Sequence, residues 1–280
     1  MIDREGEFSV RRILVALDAA GEAPELIEAA AEMAGRLHAE LLGLFVEDVN
    51  LLRSAALPFV RRMSPGSPTW KEFDTATMER ELHAVATRAR RTLERAAERR
   101  HVTYSFQVVR GQVTREVAGA SEQADLVVLG GAYRLMGALQ QASGARAAMR
   151  EARRSVLLMR PGAAPARNFV VGYDRARGSD RAVLAAQRLV QATEGTLTVL
   201  LFADSAEEGR ALESRVRTLL GPQGGVLFRR VAHPSLAGLC RLAQEVEGAV
   251  LVLSADNPLA QGEAAEELMD RIRCPLLVVR

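Results

Sequence analysis

Lysine is almost absent from this 280-residue chain: Lys71, which follows Trp70, is the only one among 37 basic residues. That excludes a Gly-x-x-x-x-Gly-Lys-Ser/Thr phosphate loop and argues against Schiff-base chemistry. Cysteine is nearly as scarce. Cys240 and Cys274 have no Cys-x-x-Cys spacing, and His38, His83, His101 and His233 are scattered. Neither a zinc cage nor a disulfide framework is indicated, and the two thiols read as buried structural residues. Gly-x-Ser-x-Gly and His-Glu-x-x-His are missing, and with them the commonest hydrolase and metalloprotease signatures. Charge of one sign is lacking too. With 37 basic residues against 35 acidic, the chain has no concentrated basic footprint for nucleic acid. No stretch approaches 18 uninterrupted apolar residues, and the first residues, MIDREGEFSVRR, are charged. Neither a membrane span nor a signal peptide is expected, which predicts a soluble cytoplasmic protein.

What the chain does have is apolar residues, 48% of the total, ample for a large buried core. It also repeats itself. Arg11 to Asp18 matches Arg167 to Asp174, and the same offset carries Ala39–Asp48 onto Gly195–Asp204 without a gap. Further on, Phe106–Val109 align with Phe228–Val231, Asp125–Leu129 with Ala249–Leu253, and Val156–Arg160 with Leu276–Arg280. Each copy offers about five continuous apolar runs separated by helical patterns, as parallel strands buried on both faces require. The expected fold is α/β: two tandem doubly wound domains, each with a five-stranded parallel sheet, Rossmann-like in kind. One helix is predicted over Glu25–Leu37, with Leu26, Ile27, Ala30, Met33, Ala34 and Leu37 along its buried stripe. The breaker-rich link Pro161–Ala166 places the domains at 1–162 and 166–280. The first copy carries an insert near 49–82, containing Leu57-Pro58-Phe59-Val60 and Trp70. It serves as packing or as a lid. After it, a helix capped by Asp74 is predicted to bury Met78, Leu82, Val85, Ala89, Leu93 and Ala96.

Ile13–Asp18, Leu41–Val46, the turn at Gly111, and Asp125–Gly130, all echoed in the second copy with its ending Cys274–Val279, together resemble the universal stress protein family. Tandem members of that family are known. The resemblance implies a regulatory or stress-protective role without enzymatic turnover. Some members bind ATP at the carboxyl ends of the strands and others bind none. Binding members use an aspartate ending the first strand, backbone near the end of the second, and a Gly-x-x-Gly-x9-Gly-Ser/Thr loop. In such a loop, glycines let N–H groups approach phosphate, and the final pair opens a helix whose positive end favours an anion.

Carried onto this chain, the resemblance points to Asp18, Val46, Gly111, Gly130, Gly131, Arg134, Ser143 and Gly144 for ATP, with Mg. The loop departs from the family pattern. Tyr133 stands at the second glycine, Ala142 and Ser143 at the terminal Gly-Ser pair, and Arg134 and Arg146 are available as phosphate donors. Each position has a plainer use: Asp18 as a turn cap, Gly111 as a turn glycine, Val46 as core, Ser143 as a helix cap. The second copy departs further, with Ser254–Glu263 shortened, two acids introduced, His233 in place of the turn glycine and Glu263 in place of the loop serine. No ATP is expected there. The resemblance also implies an internal pseudo-dimer in which the two closing strands pair, with a homodimer and an unidentified protein partner as further expectations. Two rivals stand beside this reading. One is a nucleotide-free interaction module built on the insert. The other is an ATP-using enzyme of the related α/β superfamily, against which the missing lysines and acid/base groups count.

Overall fold

The computed structural model describes residues 9–17, 24–56, 61–63, 70–72, 75–130, 154–160, 167–176, 178–222 and 225–280. In the first half the strands are β1 (Arg12–Leu17), β2 (Glu40–Asp48), β5 (Tyr104–Gly111), β6 (Leu126–Leu129) and β7 (Ser155–Leu158). In the second they are β8 (Asn168–Tyr173), β9 (Leu197–Phe202), β10 (Val226–Val231), β11 (Ala249–Ser254) and β12 (Leu276–Val279). All ten join one sheet, ordered β10-β9-β8-β11-β12-β7-β6-β1-β2-β5. Each half therefore has the order 3-2-1-4-5, with every pair inside a half parallel. The central strands are apolar on both faces because helices cover both sides.

One face carries α1 (Pro24–Leu37) and α3 (Thr75–Arg99) of the first half with α5 (Ser179–Thr193) and α6 (Ala206–Leu220) of the second; their apolar stripes share a single core with the strands beneath. The other face carries α4 (Val113–Ser121), α7 (Leu236–Gln244) and α8 (Gly262–Arg271) over a second core. The buried stripe of α1 is the predicted one with Ala31 added. In α3 the buried residue is Ala86, with Val85 at the margin; a 25-residue helix drifts around its axis, and the narrow alanine seats closer to the sheet. The Asp74 cap and the link 161–166 lie outside the described residues. The insert contributes α2 (Val49–Ala55) and a short antiparallel hairpin of β3 (Arg61–Met63) and β4 (Trp70–Glu72). Leu52 and Ala55 of α2 form a small separate core with Met78 and Leu82 of α3, so this part of the insert packs within its own half.

The halves meet at β7 and β12, which pair antiparallel with Leu157 opposite Leu277. These two leucines are also equivalent in the repeat, so the pseudo-twofold axis passes between them. Arg160 reaches across to donate to the Met269 carbonyl of α8, and Arg280 N donates to Ser155 Oγ at 3.3 Å. Antiparallel pairing reverses the second half relative to the first. The carboxyl ends of the two parallel sets consequently point in opposite directions along the strands.

Candidate functional site

In a sheet ordered 3-2-1-4-5 the chain changes direction between strands 1 and 4, and ligands bind outside the carboxyl ends of those strands. The molecule has two such places, one between β1 and β6 and one between β8 and β11.

In the first, Ala16 is level with Leu129, so the next step sets Leu17 beside Gly130. Gly130 is buried, and a Cβ there would stand 3.0 Å from Leu26 Cδ2 in the first turn of α1. The glycine thus lets the start of α1 close onto the ends of the two strands, and brings a helix N-terminus to the crevice. Val46 is fully buried in β2, level with Val109, with its side chain in the core on the α4 face. Gly111 is the last residue of β5, level with Asp48. Its φ is not positive. The Glu116 side chain of α4 lies over the glycine, with Oε1 2.2 Å from where a Cβ would stand. A phosphate approaching Gly111 would meet that carboxylate. Asp48, itself buried, caps α2 by accepting from Asn50 N at 2.9 Å. Arg110 ties Glu47 to Glu79 of α3 at 3.0 Å each. Asp18, Gly131, Arg134, Ser143 and Gly144 lie outside the described residues, as do Tyr133, Ala142 and Arg146.

The second crevice is built from different side chains. Asp174, the repeat partner of Asp18, accepts from Ala176 N at 2.8 Å and from Ser179 Oγ through Oδ1, and from Asn257 Nδ2 at 2.7 Å through Oδ2. Ser254 Oγ accepts from Asp256 N at 3.1 Å, and Asp256 pairs with Arg181 at 3.7 Å. Glu263 occupies the first turn of α8, the positive helix end that a phosphate would otherwise use. His233, at φ 48°, donates its backbone N–H to Asp204 Oδ1 at 3.1 Å, and its Nδ1 lies 3.2 Å from the same oxygen. Ser235 is the N-cap of α7 and accepts from Gly238 N at 3.2 Å. The hydroxyl is thereby committed to a helix cap.

Glu116, Ser179 and Asn257 were not legible as site residues. For Asn257 a signal exists: continuing the register of Leu129 with Leu253 sets Ser254 opposite Gly130 and Asn257 opposite Tyr133. Cys240 is buried and Cys274 half-buried, both unbridged, and burial pushes both thiols up from their ordinary range. They are poor thiolates. Among the described residues no three His, Cys, Asp or Glu side chains gather to hold a metal ion, and no helix is long and apolar enough to cross a membrane.

No protein-family model matches the chain, and no curated protein matches it. Among solved structures, it is similar over 98% of its length to a universal stress protein from Archaeoglobus fulgidus, covering 97% of that chain at 16% identity with a TM-score of 0.71. A protein of unknown function from Pseudomonas aeruginosa aligns with 96% of this chain and 92% of its own at 16% identity, with a TM-score of 0.60. The cytoplasmic domain of a prokaryotic cation chloride cotransporter aligns with 96% of this chain and 94% of its own, at 14% identity and a TM-score of 0.54. The chain has the universal stress protein fold.

Proposed function

We propose that this chain is a tandem universal stress protein of the cytoplasm, a regulatory or stress-protective factor that binds one adenine nucleotide in its first half and does no enzymatic work. The observation that carries this reading is Gly130 at the first switch point, where the second half has Ser254, in a fold shared over nearly its whole length with a universal stress protein. Beside β1 and β6 the chain offers Gly130, with no side chain, next to the N-terminus of α1. Beside β8 and β11 the matching aspartate is already engaged by three donors of the protein. In the first half Asp18 would hold the adenosine end, Val46 backbone would border the base, and Gly130, Gly131, Arg134, Ser143 and Gly144 would receive the phosphates. Mg would travel with the nucleotide on its phosphate oxygens. Glu116 over Gly111 disfavours a bare polyanion on that side, so Mg-ATP or AMP fits better than free ATP.

The test is nucleotide content. Freshly purified protein is denatured, and released adenine nucleotide is counted per chain beside Asp18→Ala. The expected result is about one per chain, lost in the variant, with no ATP consumed by the folded protein. None in either protein, and no uptake of added Mg-ATP, would turn the reading to a nucleotide-free interaction module. Steady ATP turnover abolished by Asp18→Ala would favour an enzyme.

A further inference from the structure

We propose that the crevice of the second half is sealed from within, and that Asp174 with Asn257 is a structural latch holding the turn 255–261 shut across the ends of β8 and β11. The proposal concerns the half to which no ligand is assigned, and its primary readouts need no nucleotide.

A free ligand site at a switch point leaves hydrogen-bonding capacity exposed toward the crevice. Here the protein itself uses three of the acceptor positions of Asp174, which is partly buried. Both oxygens of Asp174 accept from the protein itself, and Ser179, Ser254 and Asn257 are each only 1% exposed. Asn257 is the keystone because both ends of its amide are used. Nδ2 donates to Asp174 Oδ2 at 2.7 Å, while Oδ1 accepts from Leu259 N at 2.9 Å and so caps the short 3-10 turn Pro258–Ala260. Its backbone N–H donates to Ser254 O at 3.0 Å. A donor aimed at the aspartate from the loop after the fourth strand is what a bound ligand would otherwise bring.

The surrounding residues fit the same purpose. Gly178 lets the start of α5 approach so closely that an added Cβ would stand 2.1 Å from Ser254 Oγ. Pro258 fixes the backbone just after the latch. The repeat register gives the comparison its force, because the first half keeps the aspartate, as Asp18, and carries Gly130 and Tyr133 where the second has Ser254 and Asn257. Neither replacement in the first half offers an amide. The aspartate is therefore common to both halves, and at this position the side-chain amide stands only in the second.

Two variants test this in the full chain, Asn257→Ala and the milder Ser179→Ala, read by amide hydrogen exchange and by urea denaturation. Exchange across 255–261 is expected to accelerate ten-fold or more in Asn257→Ala and several-fold in Ser179→Ala, with a lower urea midpoint in each. The count of adenine nucleotide per chain should be the same as in the parent. If Asn257→Ala does not fold, the Ser179→Ala exchange decides alone. Unchanged exchange at 255–261 in a folded Asn257→Ala would overturn the latch. So would an Asp174→Ala variant that loses bound nucleotide while that turn remains as protected as before.

Discussion

Among the described residues, four that are not glycine hold a left-handed backbone: His38, His101, Glu194 and His233. His38 and Glu194 are one position seen twice, at the ends of α1 and α5, related by the same offset that matches Asp18 with Asp174. Both are exposed, and both stand where a helix terminus favours glycine. A side chain there costs about 1–2 kcal/mol of backbone strain, while glycine costs about 0.5–1 kcal/mol of chain entropy. His38→Gly and Glu194→Gly are each expected to stabilise the protein, by about 0.5–1 kcal/mol. The gain should be larger for Glu194, whose carboxylate also opposes the negative end of α5. Urea midpoints with an unchanged m-value check this, and a lower midpoint in both would refute it. Gly195 gives the opposite lesson. An added Cβ would lie 1.5 Å from the Arg167 carbonyl, although Ala39 fills the matching place in the first half. Only the closer approach of the chain before β8 makes glycine obligatory there, and no sequence pattern announces it.

Between elements, α5 and α6 are clipped together at the carboxyl end of β8. Tyr173 OH donates to Asp180 Oδ1 at 2.6 Å, and Arg215 of α6 donates to both oxygens of the same carboxylate. Arg215 holds the Asp180 carboxyl below its ordinary value of 3.8, with burial opposing and Tyr173 assisting. A carboxyl lowered on folding contributes stability that is complete above its unfolded value and lost as pH falls through its folded value. Arg215→Ala should therefore flatten the loss of stability between about pH 5 and pH 3. Equal slopes for variant and parent in urea titrations across that range would contradict the assignment. Burial first, and the Asp180 bond second, raise the Tyr173 phenol above its ordinary 10.0. Its contribution is complete below that value and lost as pH climbs beyond it. At the sheet edges the repeat shows again: Phe106 of β5 lies under Arg90 at 5.2 Å, and Phe228 of β10 under Arg217 at 4.5 Å. An arginine over each half-buried phenylalanine, with Arg229 and Arg230 exposed along β10, keeps both edges charged and unsuited to further strand pairing.

Across the whole molecule, the two halves share both cores and one sheet, so they are expected to unfold together. Leu157 and Leu277 are 2% and 1% exposed at the pseudo-axis. Leu157→Ala is expected to cost about 2–5 kcal/mol and, although it changes the first half, to speed amide exchange in β12 and β11 of the second. Calorimetry should show one transition at lower temperature. Two separated transitions, with β11 and β12 unaffected, would mean that the halves are energetically independent.

The sequence by itself determined the ten strands of the main sheet, their parallel sense within each copy and the likeness between copies. Continuous apolar runs of that length have few other ways to be buried, and a repeat must fold the same way twice. It also marked Gly111 and Gly130, which the structure sets at the carboxyl ends of β5 and β6, because close backbone approach leaves a mark in residue type. Other decisions needed contacts between residues far apart in the chain. That Glu116 lies over Gly111, that Asn257 reaches Asp174, and that Leu157 faces Leu277 depend on where helices and turns land on the sheet. Local pattern does not encode those distances. The tertiary structure alone brought Ser179 and Asn257 onto Asp174, from positions 5 and 83 residues along the chain.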